Sequence, residues 1–191
     1  MINWPSRYKI LKNKNIFLFD DYCLLPIRFE DRYKIMKWRN QQLYHLRQNN
    51  KLTKSIQDNY FKNVLLNQFN QDEPNQLLFS LLKSNILIGY GGLVHINWIN
   101  KSAEVSFVMK TKLEENHFES LWSIFIRLIE KVSFKELKLN KIFIYAFDLR
   151  PHLYPVLEKN GFIFEAKLRK HVKVGEIFED VIIHSKFNED K

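Results

Sequence analysis

A single cysteine, Cys23, in 191 residues rules out an internal disulfide framework and any metal site built from several cysteines. No CxxC or HExxH is present, and the six histidines show no metal-ligand spacing. No apolar run is long enough to span a membrane. Arg7, Lys9, Lys12 and Lys14 interrupt the start of the chain, leaving no continuous apolar core for a signal peptide. A cytoplasmic protein with no metal ligands is therefore expected. Glycine is also scarce: there are five in all, and Gly89, Gly91 and Gly92 fall within four positions of one apolar run. Glycine weakens a strand, so this cluster points to a bulge or to another group pressed against the backbone.

At 46% hydrophobic residues the chain can bury a core, and its length suits one domain over 1–191, preceded by an irregular basic arm over 1–15. Thirty basic side chains against twenty-one acidic ones leave a net charge of +9, which favours anionic partners. The basic residues are scattered rather than blocked, which argues against nucleic acid, and a lysine- and asparagine-rich composition accounts for most of the excess. The charge does not choose among nucleotides, phosphate-bearing coenzymes and an acidic surface, and a monomer or homodimer with no membrane partner is expected.

Apolar runs at 16–19 and 23–29 read as strands, Pro26 marking an edge or a strand end. From Glu30 the spacing of Tyr33, Met36 and Trp38 is helical and ends near Asn40. Thr53 predicts an N-cap for a helix through Gln68. Strands follow at 77–82 and over the hairpin 86–109. A long helix starts near 115–119 and runs to about Leu137, with Leu121, Phe125, Leu128, Ile129 and Val132 at helical spacing. KIFIYAF, 141–147, reads as a strand buried on both sides. Pro151 opens a short helix stopped at Asn160–Gly161, and two strands close the chain. Lys167, Arg169, His171 and Lys173 alternate along the first of these, the pattern of a solvated outer face.

Several of these segments together resemble the GNAT superfamily of acyl-CoA-dependent N-acetyltransferases, over about residues 24–187. LIGYGGL, 87–93, is similar to the family's third strand, and AEVSFVM, 103–109, to its fourth. LEKNGF, 157–162, matches its Leu/Tyr-Glu-Lys-x-Gly-Phe signature, the most specific of the set. IMKWRN, 35–40, resembles the Trp-Arg-Asn of the branch that acetylates amino sugars and protein N-termini. The resemblance implies an α+β, three-layer fold: a mixed, mostly antiparallel sheet of six to seven strands with helices on both faces. It also implies that the fourth and fifth strands splay apart to admit the coenzyme's pantetheine arm.

By the same resemblance acetyl-CoA is the co-substrate, held by Phe107, Val108 and Met109 on the strand, by Asn116, His117, Phe118 and Ser120 at the helix start, and by Arg150. Glu104 stands where the family places a general base, because an amine attacks a thioester only once its ammonium has lost a proton. Tyr154 is the tyrosine nearest the family's general-acid position, which Leu157 occupies. Trp38, Arg39, Asn40 and His95 line the acceptor side, Arg39 being able to fork onto a phosphate or carboxylate. The loop at 112–120 departs from the family. It has no glycine and carries three glutamates, Glu114, Glu115 and Glu119, and carboxylates at a helix N-terminus repel a pyrophosphate. The expected function is acetyl transfer to the primary amine of a small acceptor, such as a nucleotide-linked amino sugar. The alternative is a catalytically silent binding module for an anionic ligand.

Overall fold

The computed structural model describes residues 3–189. Its organising feature is one eight-stranded sheet in the order β1-β2-β3-β4-β5-β6-β8-β7, one or two strands more than the sequence suggests. The strands are β1 (Phe17–Phe19), β2 (Tyr22–Pro26), β3 (Leu77–Lys83), β4 (Ile86–Asn97), β5 (Ser102–Met109), β6 (Lys141–Phe147), β7 (Ile163–Val174) and β8 (Ile177–Phe187). The extra members are short or peripheral: β1 is a three-residue edge strand paired only with β2, and β7 forms the other edge against β8. All pairings are antiparallel except β5 with β6.

The helices follow the sequence pattern closely. A 3-10 turn at Phe29–Asp31 leads into α1 (Arg32–Gln41). Thr53 caps α2 (Lys54–Tyr60), its hydroxyl accepting from the Ile56 N–H at 3.3 Å. A π-helical segment, Phe61–Leu65, joins α2 to α3 (Leu66–Gln68). The long helix α4 (Glu114–Glu130) starts slightly earlier than its apolar spacing suggests and continues as a π segment, Lys131–Glu136. α5 (Leu153–Lys159) ends at Gly161, whose φ of +80° is the left-handed conformation that a helix stop uses. No helix among the described residues is long and apolar enough to cross a membrane.

The described residues before β1 pack against the core. Tyr8 and Leu11 are buried, Tyr8 stacks on Phe69 with centroids 4.3 Å apart, and its hydroxyl donates to the Leu78 carbonyl at 2.7 Å. An aromatic side chain buries enough area to order an otherwise irregular segment. Residues 1 and 2 lie outside the described range.

Close backbone approach explains the glycine cluster. A Cβ on Gly92 would sit 1.9 Å from the Leu77 carbonyl oxygen, and one on Gly91 would sit 2.2 Å from that of Ser106. The β3–β4 register also shifts between Leu81 and Leu82. On β5, side chains alternate between faces. Phe107 stacks on Phe125 of α4, centroids 4.2 Å apart. Glu104 and Ser106 therefore face the opposite layer, which carries α1 and α2.

Candidate active site

β5 and β6 pair only at Ser102–Lys141, Ala103–Ile142 and Glu104–Phe143. Beyond Glu104 the two strands part, while β5 stays paired with β4 as far as Met109. The register decides which backbone groups face the split. The Lys110 N–H donates to the Ile88 carbonyl, so Met109 and Gly89 form a non-hydrogen-bonded pair, as do Phe107 with Gly91 and Val105 with Leu93. The N–H and C=O of Val105, Phe107 and Met109 thus point into the split, whereas those of Val108 point to Tyr90 of β4. The Met109 carbonyl is already taken, accepting from the Gln42 side-chain amide at 2.9 Å. Of the strand residues anticipated from the sequence, Phe107 therefore turns its backbone groups into the split, and Val108 turns its own toward β4.

A cavity of about 630 Å³ opens at this split, lined among others by Arg39, Arg47, His95, Glu104, Phe107, Tyr145 and Arg150. Glu104 is buried at 7% exposure and is held from two sides. His95 Nδ1 lies 2.9 Å from one carboxylate oxygen, and an Arg47 guanidinium nitrogen contacts the other. His95 reaches it because the β4–β5 register shifts between Val94 and Asn97, where His95 has a φ of 49°. A bulge of this kind re-aims a side chain at a site. The Arg47 guanidinium also lies 4.2 Å above the Tyr145 ring, so a cation sits between a carboxylate and an aromatic face.

At the other end of the cavity, Arg150 is buried at 6% exposure. One of its nitrogens is 3.2 Å from a Glu114 carboxylate oxygen and donates to His45 Nε2 at 2.9 Å. Burial, and then the Arg150 charge, push the His45 pKa down to about 3, so the imidazole accepts this bond in its neutral form. Burial raises the Glu114 pKa while Arg150 opposes the rise. The charge conflict visible in the loop is thus answered locally for Glu114 by Arg150. Glu119 pairs with Lys159 on the surface. Leu113, the N-cap of α4, makes no side-chain capping bond, which leaves first-turn N–H groups without that partner.

The other residues anticipated from the sequence lie elsewhere. Trp38 is buried at 6% exposure in the core. Asn40 pins the chain at Leu52, accepting from its N–H and donating to its carbonyl, both at 2.8 Å. Asn116, His117 and Ser120 line a separate depression on the outer side of α4. Phe118 lies beneath Arg150, 5.2 Å from the guanidinium to its ring centroid. Tyr154 donates to Asp148 at 2.8 Å and stacks on His184 at 5.2 Å. It does not line the Glu104 cavity, where Tyr145 stands instead.

This mostly antiparallel sheet, parted between β5 and β6 and flanked by helices, is the fold of an acyltransferase domain. The sequence model of the acetyltransferase (GNAT) domain matches residues 25–183, and the chain belongs to that family of acyl-CoA-dependent N-acetyltransferases, which use acetyl-CoA as co-substrate. Among curated proteins none matches the chain. Solved structures share the fold at low identity. A chimera of the spermidine N-acetyltransferase SpeG from Vibrio cholerae and hSSAT is 19% identical with a TM-score of 0.73, covering 90% of this chain and 98% of its own. Mutant forms of the spermidine/spermine N-acetyltransferase SpeG from Vibrio cholerae are 18% identical with a TM-score of 0.72, covering 90% and 96% respectively.

Proposed function

We propose that the chain transfers the acetyl group of acetyl-CoA to the primary amine of a small acceptor, with Glu104 as general base. The observation that carries this reading is the position of Glu104: a buried carboxylate at the last β5–β6 pair, facing the cavity that opens where the strands part. Acetyl-CoA supplies the acetyl group as a thioester. The split backbone at Phe107 and the first turn of α4 are the groups that suit its pantetheine arm and pyrophosphate. Glu104 accepts a proton from the acceptor ammonium, and His95 keeps the carboxylate oriented for it. Arg47 holds the ammonium position in the free protein, so the arriving amine displaces it from Glu104 on the 42–53 connection.

The structural neighbours act on spermidine, yet a polycation would meet three arginines and one glutamate among the residues lining this cavity. An amine bearing a phosphate or carboxylate, as a nucleotide-linked amino sugar does, fits that charge balance better. The test is Glu104→Gln, which keeps the shape and removes the base. Turnover should fall roughly a hundredfold or more with acetyl-CoA affinity unchanged, and undiminished turnover would remove Glu104 from the mechanism.

A further inference from the structure

Arg39 sits at the wall between two spaces. It lines the large cavity with Glu104 and also a smaller one of about 290 Å³, and Gln76, Val94 and Ser106 line both as well. The smaller space is otherwise mostly apolar, walled by Ile27, Ile35, Ile56 and Phe61. Unlike its neighbours, Arg39 has no acidic partner among the described residues. Arg47 is paired with Glu104 and Arg150 with Glu114, whereas among the described residues Arg39 donates to neutral groups. Its Nη1 reaches the Tyr90 hydroxyl at 2.7 Å and its Nε the Gln48 side-chain oxygen at 2.8 Å.

A guanidinium carries five N–H donors, so these two bonds leave part of the fork unused. Charged groups taken out of water are ordinarily paired, and an Arg fork matches a carboxylate or phosphate in two parallel bonds. We propose that the acceptor carries an anionic group, carboxylate or phosphate, beside its amine, and that Arg39 binds that group while Glu104 receives the amine. The inference rests on the acetyl-transfer reading for the role of the amine but not for the binding of the anion. The apolar space beyond Arg39 takes the remaining body of the acceptor. Tyr90 and Gln48 fix the guanidinium plane, so the anion meets a preset fork.

Calorimetry on the intact chain tests this without requiring turnover. One pair of probes, L-phenylalanine and L-phenylalaninamide, differs in a carboxylate; a second, glucosamine 6-phosphate and glucosamine, differs in a phosphate. In at least one pair the charged member should bind about tenfold tighter or more, the worth of one charge-assisted contact. The pair that responds tells carboxylate from phosphate. Arg39→Gln should erase that preference and leave the neutral member's affinity unchanged, while Arg39→Lys should restore part of it. Equal binding within both pairs, no binding by any probe, or a preference that survives Arg39→Gln would each overturn the proposal. Should Arg39→Gln fail to fold, the wild-type comparison and Arg39→Lys still decide. Titration with acetyl-CoA in the same instrument is independent: its failure would count against acetyl transfer and leave the anion subsite standing or falling on the probe pairs.

Discussion

At the scale of single residues, the site is a set of charges whose partners are chosen across long stretches of chain. Arg47 meets Glu104 across 57 positions and His45 meets Arg150 across 105. The His45 contact has a measurable consequence. In the folded chain its pKa lies near 3, because burial and the Arg150 charge both oppose protonation, whereas the unfolded chain titrates near the ordinary value of about 6.5. Between these two values the unfolded state binds a proton that the folded state refuses. Stability therefore falls as pH is lowered from about 6.5 toward 3 and is unaffected by this group above that window. His45→Gln removes the contribution, so its melting temperature should decline less than the wild type's between pH 7.5 and 5. Each 1 kcal/mol of difference would appear as about 2–4 °C for a chain of this size. Parallel declines in the two proteins would show that His45 is not held neutral.

At the scale of elements, β4 is the strand on which the site depends, because its bulge presents His95 and its glycines let β3 and β5 close on either side. The tolerance at Gly92 is set by backbone: the 1.9 Å between an added Cβ and the Leu77 carbonyl oxygen cannot be relieved by turning a side chain. Gly92→Ala should force β3 and β4 apart and cost about 1–3 kcal/mol or more, read as a lowered urea midpoint. An unchanged midpoint would mean that the strands are not packed this closely. Strand β6 shows how a two-sided apolar sequence can mislead. KIFIYAF reads as buried on both faces, but Ile142 and Ile144 are buried while Phe143, Tyr145 and Phe147 are only half-buried. Tyr145 and Phe147 line the cavity, and a strand beside a binding site keeps apolar groups there for a ligand to cover.

At the scale of the whole molecule, only three residue pairs join β5 to β6, so a coenzyme seated in the split should tie the two halves of the sheet together. Acetyl-CoA at a hundred times its Kd should stabilise the folded chain by about 2.7 kcal/mol, roughly 5–10 °C in melting temperature. Arg150 links α4 to the segment after β6 through Glu114. Its removal leaves that carboxylate uncompensated near the first turn of α4. Arg150→Ala should then weaken acetyl-CoA by on the order of 1 kcal/mol at surface dielectric, shrinking the shift measured against the variant's own ligand-free melt. A shift of equal size in both proteins would detach Arg150 from the coenzyme, and no shift in either would count against coenzyme binding itself.

Most of the architecture was legible in the chain alone, since helix spacing, the Thr53 cap, the Gly161 stop and the alternating strands are local signals that tertiary contacts here reinforce. Glu104, Arg39 and His95 could be singled out because they fall in or beside segments that resemble a family. Tertiary structure decided the rest. Whether a β5 backbone group faces the split or β4 depends on register parity, which separates Phe107 from Val108 and which no composition reveals. The Arg47 partner of Glu104 was equally hidden, because Arg47 lies in an irregular loop between α1 and α2. Such segments carry no periodicity to read, and only the closing of the fold brings their charges within reach of a buried carboxylate.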